Sequence, residues 1–196
     1  MNYSIIVSAL LCAGVLLAFW SCKTSSSGYE SAPYSVVLSS GDYELRDYPE
    51  LAIVQTAMPD SSRDGSNAGF GKLFRYISGS NKNQESIAMT TPVFISQVPQ
   101  TIAFVLPAKS SAEQAPAPLD SSLSLKKIPA GRFAVLRFSG ARSSAKESQA
   151  LALLKTWISE KGLVAVESPV FGYFDPPWTP SFLRRNEVML RLMPEQ

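Results

Sequence analysis

The chain has 196 residues, 45% of them apolar and 17% charged, a globular composition with room for one domain and an appendage. With 18 basic residues against 16 acidic the net charge is +2, and no basic tract or basic-aromatic stripe is present, which argues against nucleic acid as a partner. There is no histidine, and the only cysteines are Cys12 and Cys22. Beyond residue 22 there is neither thiol nor imidazole. That removes Cys/His zinc sites, Ser-His-Asp triads, Cys-His nucleophiles and a disulfide framework.

The first 22 residues carry no Asp, Glu, Lys or Arg, and residues 5–20 form an almost unbroken apolar run. At about 16 residues the run exceeds many signal-peptide cores and falls short of the roughly 20 a spanning helix needs. It ends at Ser21-Cys22, followed by the polar stretch Lys23-Thr24-Ser25-Ser26-Ser27-Gly28. The pattern is similar to a bacterial lipoprotein signal: Cys22 would be acylated at sulfur after cleavage, and a Ser-rich tether would follow. An uncleaved anchor and ordinary signal-peptidase cleavage are the alternatives. All three place the domain at a membrane or outside the cytoplasm, on the periplasmic face or the outer membrane of a bacterial envelope. The expected division is a signal over 1–22, a tether over 23–33 and one domain over 34–196.

Two segments about eighty residues apart read alike. Tyr43-Glu44-Leu45-Arg46-Asp47-Tyr48-Pro49 precedes Leu51-Ala52-Ile53-Val54, and Leu123-Ser124-Leu125-Lys126-Lys127-Ile128-Pro129 precedes Phe133-Ala134-Val135-Leu136. Each is an alternating strand, a proline break and a second strand. A helix follows in each half. Phe70, Leu73, Phe74 and Ile77 fall at helical spacing before Gly79. Ser144-Ala145-Lys146-Glu147 has capping-box form, with Ala150, Leu153, Leu154, Trp157 and Ile158 as the apolar face and Gly162 as the stop. Two further strands close each half. Residues 87–94 and 101–106 do so in the first, residues 164–171 and 187–192 in the second. The echo of Thr91-Pro92-Val93-Phe94 in Ser168-Pro169-Val170-Phe171 marks the duplication, and the Ala/Ser/Pro-rich residues 108–122 link the halves. The predicted fold is α+β: a ββαββ unit repeated about a pseudo-two-fold axis, forming a distorted antiparallel β-barrel with two helices. A concave sheet of this kind is expected to leave a groove.

Four motifs resemble those of the SOUL/heme-binding protein family over residues 34–193. They are the strand Tyr43-Glu44-Leu45-Arg46-Asp47-Tyr48-Pro49, the helix end Phe74-Arg75-Tyr76-Ile77-Ser78-Gly79-Ser80-Asn81, the segment Ile87-Ala88-Met89-Thr90-Thr91-Pro92-Val93, and Phe174-Asp175-Pro176-Pro177-Trp178-Thr179-Pro180 with the following Phe182-Leu183-Arg184-Arg185-Asn186-Glu187-Val188. The resemblance implies an architecture shared with gyrase-inhibitor-like effector-binding domains. It also implies non-catalytic binding of heme or another tetrapyrrole in a shallow apolar groove along the first helix.

By motif, Phe70, Phe74 and Ile77 match groove positions, Arg75 a basic position at the propionates, and Arg191 a second basic partner. A guanidinium suits a carboxylate through charge-assisted, bidentate contact. Read from spacing alone, the same apolar stripe is simply a helix core, and Lys72 a solvated charge. With no histidine, an iron ligand would have to come from Met58, Met89, Met189, Tyr76 or Tyr173, residue types that also fill cores. Other flat apolar anions are therefore admitted as ligands. Trp178 is expected to plug one end of the barrel, and Arg184, Arg185 and Glu187 to form an exposed, weakly stabilising ion-pair set. The rival readings are an enzyme using Glu44, Glu85 or Glu167 as general base, and an envelope interaction protein that has lost its ligand.

Overall fold

The computed structural model describes residues 28–58, 63–166 and 168–194. The signal, Cys22, residues 23–27 of the tether and Glu167 lie outside the described residues. In chain order the elements are β1 (Glu30–Ser31), β2 (Ser35–Ser40), β3 (Tyr43–Tyr48), β4 (Leu51–Ala57), α1 (Arg63–Ile77), β5 (Thr90–Thr91), β6 (Val93–Gln97) and β7 (Gln100–Val105). Then follow β8 (Leu123–Ile128), β9 (Gly131–Ser139), α2 (Ser144–Glu160), β10 (Val170–Tyr173), a 3-10 turn (Ser181–Leu183) and β11 (Arg185–Arg191). The class is α+β, as the pattern predicts. Among these helices none is long and apolar enough to cross a membrane.

Nine strands form one antiparallel sheet in the order β2-β3-β9-β11-β10-β6-β7-β4-β8, and β1 pairs with β5 in parallel. The order carries the duplication. If β3, β4, β6 and β7 are exchanged with β8, β9, β10 and β11, the eight strands from β3 to β8 read the same from either end. The pseudo-two-fold axis falls between β6 and β10, where Phe94 pairs with Gly172 and Ile95 with Phe171. The two echoing Pro-Val-Phe segments are thus the strands that meet at the axis. Each opening strand crosses over: β3 pairs with β9 of the second half, and β8 with β4 of the first. Neither half closes a sheet without the other.

Strand alternation sorts the side chains between two faces. On one face Ala52, Val54, Ile102 and Phe104 pack against Leu73, Tyr76 and Ile77 of α1, while Ala134, Leu136, Val188 and Leu190 pack against Ala150, Leu154, Trp157 and Ile158 of α2. On the other face Tyr48, Leu51, Ile53, Phe94, Phe133, Val135 and Met189 form one cluster. Its members come from both ends of the strand order, so the sheet curls with this face inward. Packed apolar side chains therefore line the inner face, where the sequence led to the expectation of a groove.

Gly69 sets how closely α1 approaches. A Cβ there would lie 2.6 Å from Ile102 Cγ2, so any larger residue would push the helix off β7. Gly79 and Gly162, the expected helix stops, both take positive φ. The cap of α2 falls one residue earlier than the sequence pattern placed it. Ser143 is the N-cap and accepts from the Lys146 amide, while Glu147 turns inward to Arg142, Gln97 and Tyr173. Residues 87–89 and 164–166, expected as strand, are not in strands; Pro92 follows a cis peptide bond and separates β5 from β6.

The interior also holds charge. The Glu187 carboxylate is fully buried, accepting from Arg46 Nη1 at 2.7 Å and Nη2 at 3.0 Å, and from Arg185 Nη2 at 2.6 Å. Arg46 also donates to Glu44 at 2.7 Å and to the Tyr48 hydroxyl at 3.1 Å, with its guanidinium 4.3 Å from the Tyr34 ring centre. This corrects the expected exposed set: Arg185 and Glu187 do pair, but in the core and with Arg46, whereas Arg184 bonds loop carbonyls instead. Burial alone would raise the Glu187 carboxyl, but the two guanidinium groups outweigh it and hold it below the ordinary glutamate value of 4.5.

A depressed carboxyl contributes stability that is present above its unfolded pKa and lost as pH falls through its folded one. Acidification below the ordinary glutamate range should therefore weaken the fold, and Glu187→Gln should flatten that acid limb in urea melts. At neutral pH the same variant strands Arg46 and should cost about 3–5 kcal/mol, more than a paired Glu187→Leu/Arg46→Met replacement.

Candidate functional site

The apolar stripe of α1 splits across its width. Leu73 and Tyr76 are fully buried and Ile77 nearly so, whereas Phe70 and Phe74 are 39% and 50% exposed. Ile77, matched to a groove position by sequence, is core and offers no surface to a ligand. Phe70 rests edge-on against buried Phe104, with centroids 5.0 Å apart and planes at 69°. Phe74 stacks on Phe70 at 6.2 Å and 11°. Spacing of four residues on a helix puts the two rings side by side, and Phe104 fixes the inner one. The result is an aromatic pair held from below and open to solvent.

Arg75 and Gly71 occupy the adjacent row of the helix. A Cβ on Gly71 would sit 3.9 Å from Arg75 Nη1, so the guanidinium lies back over the bare backbone at Gly71, the residue that follows Phe70. Arg75 is exposed. Asp120, in the link between the halves, feels the charges of Lys72 and Arg75, after the larger effect of its hydrogen bonds to Ser122. Lys72, read as a solvated charge, donates to Ser122 Oγ at 2.9 Å.

Arg191 is elsewhere. It lies on the inner face with Glu187 and Met189, opposite the helices. Its Nη1 and Nη2 donate to the Ala130 and Pro129 carbonyls at 3.1 and 2.6 Å, and its guanidinium lies 4.6 Å from the Phe133 ring centre. It pins the β8–β9 turn and cannot join Arg75 at one ligand. The residues considered as iron ligands are also mostly enclosed. Met58, Tyr76 and Met189 are buried, and Tyr76 donates to the Pro116 carbonyl at 2.9 Å, with its phenol pushed up by burial to about 12. Tyr173 bonds Glu147. Of the carboxylates weighed as general bases, Glu44 is tied to Arg46 and Glu85 is exposed. Among the described residues no cluster of His, Cys, Asp and Glu could hold a metal ion.

Two clefts lie away from the aromatic pair. One, of about 280 Å3, runs between residues 85–88 and the link at 106–116. The other, about 490 Å3, lies between α2 and the β2–β3 turn, with Tyr43, Leu136, Phe138 and Leu153 as apolar walls and Arg137 and Lys146 at its rim. Sequence reading had no signal for it, because its walls come from three separate segments.

The fold is similar to that of several solved structures. The EcmrR C-terminal domain superposes at a TM-score of 0.55, with 16% identity over 77% of this chain and 96% of that one. A hydrolase from Listeria innocua superposes at 0.51, with 11% identity over 80% and 94%. At those identities the likeness concerns the fold alone. In sequence, the family model for SOUL heme-binding protein matches residues 29–191. Heme-binding protein 2 of Homo sapiens is 29% identical over 171 residues, 81% of this chain and 82% of that protein, and its Mus musculus counterpart is 28% identical over the same shares. The chain belongs to the SOUL heme-binding protein family.

If the aromatic pair is surface rather than core, Phe74→Ala should lower unfolding free energy by less than about 1 kcal/mol. Leu73→Ala on the neighbouring row should cost about 2–5 kcal/mol. Equilibrium urea denaturation of the two variants separates the cases.

Proposed function

We propose that this protein binds heme or a related tetrapyrrole without catalysis, flat against the exposed Phe70–Phe74 face of α1, and does so as a lipid-anchored protein outside the cytoplasm. The observation that carries the binding reading is the open aromatic pair, backed by buried Phe104 and flanked by the Arg75 guanidinium. Membership of the heme-binding family supports the ligand class.

The residues fit a porphyrin's plane better than its metal. A bound tetrapyrrole supplies a broad apolar surface edged by carboxylates. Phe70 and Phe74 would hold the plane by stacking and area burial, and Arg75 would pair with a carboxylate at the edge. Beside the aromatic pair, α1 offers no imidazole or thiolate for the iron, and its only phenol, Tyr76, is buried. Affinity then rests on the ring and its carboxylates, and metal-free protoporphyrin should bind nearly as well as hemin. The buried carboxylate of Glu187 is neutralised by two arginines and enclosed, which disfavours a general base and so an enzyme.

The anchoring part is motivated by the apolar residues 5–20, Cys22 and the Ser-rich residues that follow. Two or three acyl chains would hold the protein firmly where one would not. Mass spectrometry of the full-length protein from membranes should find acyl mass on Cys22, and Cys22→Ser should abolish it. An unmodified, uncleaved N-terminus would instead support the anchor alternative.

Titration with hemin and with protoporphyrin should give a saturable Soret or fluorescence change at micromolar protein. Phe74→Ala/Arg75→Glu should weaken it at least about tenfold, the scale of 1.4 kcal/mol. Arg191→Gln should leave affinity unchanged. No saturable change, or the same affinity in the Phe74/Arg75 variant, sinks the reading. Loss on Leu153→Glu instead would move the ligand to the α2 cleft.

A further inference from the structure

The sequence suggested that Trp178 plugs the barrel, and the structure places it outside. Trp178 is 78% exposed, and Phe182 and Leu183 are 74% and 63% exposed, all on the loop between β10 and β11. Side chains that open lie in no groove; they project from the domain. Three large apolar groups held in water on one tip call for an apolar partner.

The loop is built rather than slack. Pro176, Pro177 and Pro180 fix its backbone and remove three N–H donors. The carbonyls of Pro176, Pro180 and Ser181 accept from the Thr179, Leu183 and Arg184 amides. Those of Thr179 and Pro177 accept from the Arg184 guanidinium, the former at 2.8 Å. Asp175 accepts the Arg185 amide at 2.7 Å. Such internal pairing is what a tip needs to enter a medium where backbone groups find no water.

The chain enters at the same end of the sheet. Ser31 pairs with Thr91, and two residues later Val93 pairs with Tyr173, the last residue of β10 before the loop. The Arg185 guanidinium, where the loop returns, donates to the Tyr34 hydroxyl at 3.4 Å. From Cys22 to Gly28 the polypeptide can span at most about 20 Å. A chain held in lipid at Cys22, or by residues 5–20, therefore keeps this end of the domain against the bilayer. A protein partner would ask for roughly 800 Å2 per side, more than three projecting side chains supply, whereas Trp, Phe and Leu on a small tip suit the headgroup boundary.

We propose that the β10–β11 loop, through Trp178, Phe182 and Leu183, seats the domain on the lipid bilayer that holds its N-terminus. The inference rests on the tether part of the reading above, and its test separates the two. Full-length Trp20→Phe protein, whose remaining tryptophans are core Trp157 and Trp178, is incorporated into phosphatidylcholine/phosphatidylglycerol vesicles and floated on a density gradient. Vesicles of lipids brominated near the headgroup end of the acyl chain should quench its emission about twofold, a depth of roughly 5–10 Å. Adding Trp178→Phe should remove that quenching. Protein that fails to float overturns the tether and this inference together. Protein that floats but keeps an unquenched, iodide-accessible Trp178 leaves the tether standing and overturns the loop's role, handing the tip to a protein partner.

Discussion

The structure turns on a carboxylate that has no access to water. Glu187 projects from β11 into the barrel and is met by Arg46 from β3, a strand that is not its neighbour. The contact reaches over β9, so it forms only in a sheet curled with this face inward. An isolated charge there would cost many kcal/mol, and a pair only repays its desolvation when every donor and acceptor is used. Here Arg46 spends its donors on Glu187, Glu44 and Tyr48, and Arg185 adds a second guanidinium. The worth of such a network lies less in net stability than in register: a slip of one residue on β3 or β11 turns the charge to the helix-covered face, among Leu136, Val188 and Leu190.

That network also bears on where a ligand can go. Arg46 and Arg185 are balanced by Glu187 and Glu44, and Tyr48, Phe94, Phe133 and Met189 pack along the same inner face. The site proposed above lies instead on the outer surface, where the helices pack. A broad planar ligand is better served by an open aromatic face than by a closed barrel, and the shallow site proposed on α1 is such a face.

Much of this could be read from the residues. The paired strand-proline-strand segments gave the duplication, and the strand order repeats it. Helical spacing located the α1 stripe, but period alone could not say which edge faces water: Ile77 went to the core and Phe74 to the surface because Gly69 sets the helix low on β7. The Arg185-Asn186-Glu187 run looked like an exposed pair because charges two apart on a last strand usually are. Its true partner, Arg46, stands 141 residues away and carries no local signal. Trp178 misled for the opposite reason, since a large aromatic between prolines reads as a plug until the loop is seen to fold on Arg184.

The duplication provides an internal control on the aromatic face. Aligning α1 with α2 by burial sets Gly69 beside Ala150, Leu73 beside Leu154, Tyr76 beside Trp157 and Ile77 beside Ile158, every one of them buried. On that alignment Phe70 corresponds to half-buried Leu151 and Phe74 to exposed Lys155. The second half thus packs an equivalent helix on an equivalent sheet with a lysine where the first half has a phenylalanine. The scaffold has no need of an aromatic ring at that position. Half of Phe74 is left in water, at a cost in free energy that packing does not recover. A contact made only in a complex is the simplest reason for the first half to keep it.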